Sequence, residues 1–258
     1  MFSRMGTDFC KRLAVALLAA GALAACSRAP APEEIEVAGW RLSVVLPAGA
    51  DAASARKVVS LAARAACATV PEAGEGTARI VFGKDLGILP HWAAPRPVAV
   101  QEGDEIRVGY RTDDPAATAN RLAHELAHWR LEKLCGGRTA LWLDEGLAQV
   151  AGRTAANEAA RCFSLDVSER LSLPWKQGVA ALVAATAYPA GRDESGAFYA
   201  ASLRLADAFL ARHGLDDCLA LAKELAAAPA AETFFAFCAA RYCESADEIA
   251  AWLSAAPR

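Results

Sequence analysis

"RLAHELAHWR", residues 121–130, holds two of the four histidines in the chain. His124 and His128 stand four positions apart, one turn of a helix, so both imidazoles leave the same face. At 3.6 residues per turn Glu125 is rotated by roughly 100° from His124. It can reach a water held by a cation between the two rings without being a ligand from that turn. The H-E-x-x-H spacing therefore suits two zinc ligands and a general base. The flanks support a helix. "TDDPAATANRLAHELAHWRLEKLCGG", residues 112–137, has an Asp cap at Asp113 or Asp114, Pro115 at the first helical position and Gly136-Gly137 as the stop. Leu122, Leu126, Leu131 and Leu134 supply the apolar surface that buries it.

Downstream stands "LWLDEGLAQ", residues 141–149. Glu145 follows His128 by 17 positions, across the Gly-Gly turn and at the start of the next helix. A helix–turn–helix of that length can return a carboxylate to the metal face. Asp144 beside it has a plainer reading, an acidic residue favoured by the dipole of a helix N-terminus.

H-E-x-x-H followed by W-L-x-E-G-x-A resembles the gluzincin metallopeptidases, in particular the bacterial peptidase MA-like domains, and more distantly the thermolysin and aminopeptidase families. The resemblance is specific at 124–145 and looser over about residues 40 to 225. It implies a zincin-like α+β fold, a small N-terminal mixed sheet with an active-site helix and a mainly helical C-terminal part. It also implies Zn2+ held by His124, His128 and Glu145, Glu125 as general base, and a peptide or protein as substrate. Aminopeptidase relatives use a tyrosine from a downstream helix to stabilise the oxyanion. "GAFYAASLRLADAFLARHG" resembles that helix, written Y-x-x-S, and nominates Tyr199; a core aromatic is the competing reading. Tyr188, before Pro189 in a loop, His213 at a helix end and His91 in "LPHWAAPRP" are weaker candidates. No G-A-M-E-N-like stretch precedes the helix, which favours an endopeptidase over an aminopeptidase. A non-catalytic zincin-fold lipoprotein acting in binding or envelope assembly, and a zinc amidase acting on a non-protein amide, are the alternatives.

The start of the chain bears on where it works. "MFSRMGTDFCKR" is polar and basic, and "LAVALLAAGALAA" is an apolar run of 13 residues. That is short for a membrane span and suits a signal-peptide core. It ends in "LAAC", Leu23 to Cys26, which resembles the lipobox of bacterial lipoproteins, with Cys26 the lipidated residue. The expected organisation is a signal peptide at 1–25, a Pro/Ala-rich tether at 26–38 and the peptidase MA-like domain at 39–258. A lipid would anchor a soluble domain at the envelope, facing the periplasm, and Ser27 resembles outer-membrane retention. Six further cysteines, Cys67, Cys135, Cys162, Cys218, Cys238 and Cys243, are even in number, and export predicts disulfides among them. No C-x-x-C pair points to a cysteine-ligated metal.

The 258 residues are 55% hydrophobic and 22% charged with a net charge of −3, enough chain to bury a core. The absence of a basic patch argues against nucleic acid as a partner. Strands are expected at 39–47 and 78–83, with a hairpin at 98–110 around Glu102-Gly103-Asp104. A helix is expected at 51–70, and helices throughout after Asp113. Strands first and helices after them give α+β.

Overall fold

The structure is a computed structural model that describes residues 32–37, 39–46, 49–71, 76–83, 99–111, 113–165 and 174–254. The leader at 1–25, Cys26 and His91 lie outside the described residues. Five strands form one mixed sheet: β1 (Glu33–Val37), β2 (Trp40–Val45), β3 (Thr77–Gly83), β4 (Ala99–Glu102) and β5 (Glu105–Gly109), in the order β1-β2-β3-β5-β4. The inner three run parallel, and β1 and β4 pair antiparallel on the two edges. Alternation decides the covered face. Leu42 and Val44, Ala78, Ile80 and Phe82, and Ile106 and Val108 are buried. Arg41, Thr77 and Arg79, at odd positions along the same strands, are exposed.

Helix α1 (Ala52–Thr69) is the crossover between the parallel pair β2 and β3. Asp51 caps its start, accepting from the Ala53 N–H at 3.0 Å. Helix α2 (Pro115–Cys135) carries the two histidines. Asp114 caps it, accepting from Ala117 N–H at 2.9 Å, and Gly136 closes it in the left-handed region at φ 67°. Helix α3 (Leu141–Phe163) runs back antiparallel to α2. A Cβ on Gly152 would lie 3.0 Å from the Asn120 carbonyl oxygen, so glycine allows the two helices to approach closely. The remaining helices are α4 (Gly178–Val183), α5 (Arg192–Ala227), α6 (Ala231–Tyr242) and α7 (Ala246–Ser254). Gly214 is a kink in α5 at φ 84° and ψ 177°, beyond which the helix restarts at once.

The apolar interior has two parts. One packs the sheet against α1, the first half of α2 and the second half of α3; the other joins Leu131, Trp142, Leu143 and Leu147 to the C-terminal helices. The β4–β5 turn is latched to α2. Asp104 accepts from Trp129 Nε1 at 2.8 Å and pairs with Lys133 at 2.8 Å, and Gln101 Nε2 donates to Glu132 at 3.0 Å. These contacts hold edge strand β4 beside the histidine-bearing helix.

Two expectations are corrected. Residues 33–37, assigned to the tether, form strand β1, because Ile35 and Val37 pack against the sheet core while the intervening glutamates face outward. The expected disulfides do not form: all six cysteines are free. Cys218 and Cys238 are buried as small apolar residues in the helical core, and Cys162 and Cys243 are exposed.

Candidate metal centre

The antiparallel register of α2 and α3 sets Asp144 and Glu145 opposite His128. His124 Nε2 and His128 Nε2 are 3.0 Å apart. Glu145 Oε2 lies 3.3 Å from His124 Nε2, and Glu145 Oε1 lies 3.6 Å from His128 Nε2. One donor atom from each of the three residues falls within 4.8 Å of the others. No other such group of three occurs among the described residues.

Asp144 supplies a contact that the sequence reading assigned to the helix dipole. Its Oδ1 is 2.7 Å from His128 Nδ1. Donation from Nδ1–H to the carboxylate fixes the ring so that Nε2 faces the shared point, as in carboxylate–histidine–zinc arrangements. Glu145 is 2% exposed; its Oε2 makes no well-aligned hydrogen bond and faces His124 Nε2 at 3.3 Å. Two imidazole nitrogens and one carboxylate oxygen converging on one point suit a cation, and this ligand set suits zinc. The three residues therefore fit the metal that the resemblance implies.

The same crowding sets the ionisation of these groups. Burial alone would push the His128 imidazolium down, but the carboxylates of Asp144 and Glu145 lift its pKa to about 10. Burial would raise Glu145, but His128 and His124 hold it down at about 2. Glu125 is raised, first by burial and then by the neighbouring charges of Glu145 and Asp144, against the pull of both histidines. A carboxylate raised in this way takes up a proton more readily than an exposed one.

A cavity of about 300 Å³ opens over the cluster, lined among others by Ala99, Val100, Gln101, Glu125, Tyr188 and Tyr199. Edge strand β4 forms one wall. Tyr199 comes from α5, which crosses α3 at Gly146. A Cβ there would lie 2.6 Å from the Ser202 carbonyl oxygen and 2.7 Å from Ala206 Cβ. The glycine of W-L-x-E-G and the serine of Y-x-x-S are thus the two sides of one close crossing. Burial, and then the charge of Glu145, raise the Tyr199 phenol, which stays protonated and able to donate. Tyr188, a weaker candidate in sequence, reaches the centre from the 184–191 loop: its hydroxyl donates to Glu145 Oε1. His213 is elsewhere, 3.1 Å from Glu244 and stacked on Tyr242 at 3.7 Å in the C-terminal helices. A larger hollow of about 590 Å³, lined by Glu224, Phe237 and Arg241, gathers no set of metal-ligating groups.

Sequence reasoning missed Asp144 and undervalued Tyr188. For Tyr188 the sequence carries no signal, since the loop path alone brings it in.

No family model matches the chain, and no curated protein matches it in sequence. Among solved structures the chain is similar to the M1 zinc metallopeptidase from Deinococcus radiodurans. A mutant form shares 11% identity with a TM-score of 0.46, covering 88% of this chain and 53% of that one. The form described without a mutation shares 11% at a TM-score of 0.44, covering 88% and 52%. The mutant bound to a Tyr-Ser-Ala substrate shares 12% at 0.46, again covering 88% and 52%. The chain spans about half the length of these proteins.

Proposed function

We propose that the chain is a zinc-dependent peptidase of gluzincin type, an endopeptidase acting at the bacterial cell envelope. The observation that carries this reading is the convergence of His124, His128 and Glu145 within 4.8 Å, with the buried Glu145 Oε2 turned to His124 Nε2. A bound zinc would supply Lewis acidity towards a carbonyl oxygen and bring the pKa of a water molecule towards ~7. The protein's own groups do the rest. His128 is oriented by Asp144, and Glu125 accepts the proton of the attacking water and returns it to the leaving amine. Tyr199 donates to the oxyanion as it forms. An extended peptide lies along β4, an edge strand among the described residues, and pairs with its backbone. Gln101 and Glu132 line the cavity beside it.

Location belongs to the same proposal. Cys26 carries a lipid that holds the domain to the envelope, facing the periplasm. No helix among the described residues is long and apolar enough to cross a membrane.

The test is metal content together with turnover of a peptide library, comparing the natural chain with Glu125→Gln. Zinc is expected in both, with activity in the Gln variant reduced by about 10²–10⁴-fold. Folded protein that takes up no zinc overturns the ligand assignment. Zinc without turnover on any peptide favours a binding role. Cys26→Ser should release the chain from membranes, and unchanged membrane association refutes the anchor.

A further inference from the structure

Glu145 uses its two oxygens differently. Oε1 accepts the Tyr188 hydroxyl, whereas Oε2 makes no well-aligned hydrogen bond and faces His124 Nε2 at 3.3 Å. Tyr188 is 49% exposed as a residue, yet its hydroxyl reaches a carboxylate that is 2% exposed. The ring is held from two sides. It lies 5.9 Å from the Tyr199 ring and 6.3 Å from Phe198 between centroids. The loop that carries it is pinned to α5 by Ser195 Oγ, which donates to the Pro189 carbonyl at 2.7 Å. An exposed tyrosine with so specific an inward contact does more than fill space.

The geometry points to Tyr188 as the residue that keeps Glu145 a one-oxygen ligand. Occupying Oε1, its hydroxyl leaves Oε2 as the oxygen offered to a metal. A catalytic zinc site keeps three protein ligands and one open position, and a carboxylate binding through both oxygens would fill that position. Tyr188 is a positioning residue: it acts on the metal through Glu145 and leaves donation to the substrate to Tyr199. The inference rests on the zinc reading above and adds a role for a loop residue.

The experiment is Tyr188→Phe, which keeps the ring and removes only the hydroxyl, with Tyr199→Phe as its partner. Zinc affinity is measured by competition with a chromophoric chelator, and coordination by the visible spectrum of the cobalt(II)-loaded proteins. Tyr188→Phe should bind zinc about 10–100-fold less tightly. Its cobalt bands should weaken as the coordination number rises, while metal-free thermal stability stays close to that of the natural chain. Tyr199→Phe, with no hydrogen bond to Glu145, should leave both metal readouts unchanged. Equal affinity and an unchanged spectrum in Tyr188→Phe overturn the inference, as does an equal change in both variants, which would assign the effect to ring packing. A natural chain that binds neither metal is a different failure, that of the zinc reading itself.

Discussion

Asp144 and Glu145 are neighbours of the same charge with different tasks, and rotation about one helix separates them. Glu145 turns inward to the two Nε2 atoms, and Asp144 turns to the far nitrogen of His128. Asp144→Ala removes the acceptor that fixes the His128 tautomer. Zinc affinity should fall by about 10–100-fold, read by chelator competition, while the fold persists by circular dichroism. Tyr199→Phe should behave oppositely. It leaves the metal in place and lowers kcat by about 10²–10³-fold if the phenol is the oxyanion donor, with KM little changed. The meeting of His124 and His128 was legible in their i, i+4 spacing, and Glu145 was singled out by the resemblance of its motif. The part of Asp144 was not legible, because which of two adjacent carboxylates faces a neighbouring helix depends on the crossing and not on either helix alone.

At the level of elements, the histidine-bearing helix α2 was the most legible because its ends are marked chemically. Asp114 caps it and Gly136 stops it where the sequence placed them. Strand β1 escaped because its run of glutamates sits behind prolines and only Ile35 and Val37 face inward. The α3–α5 crossing could not be foreseen, yet it decides the site. Gly146→Ala would drive a Cβ into backbone at 2.6 Å. It should cost about 1–3 kcal/mol as overpacking, measured by denaturant unfolding. The crossing must also widen, moving Tyr199 away from the metal ligands, so kcat should fall by more than zinc affinity does.

For the molecule as a whole, the centre sits where the two apolar cores meet. Leu126 and Ala127 of α2 belong to the first core, and Leu131 of the same helix belongs to the second. A metal bound there would tie the sheet-bearing half to the helical half. Zinc in excess of its dissociation constant by 100-fold should stabilise the fold by about 2.7 kcal/mol. Chelation should then lower Tm by about 5–10 °C, as calorimetry would show. The free thiols give the last consequence. A fold without covalent cross-links has a midpoint that does not move with reductant, and its cysteines become built-in reporters of opening. Burial pushes the Cys218 and Cys238 thiols up to about 12, so little thiolate is available for alkylation while the helical half is closed. In a timed alkylation read by mass spectrometry, Cys162 and Cys243 should acquire the label first. Cys218 and Cys238 should follow only at the rate at which their half comes apart, so one reaction times the opening of the molecule from inside.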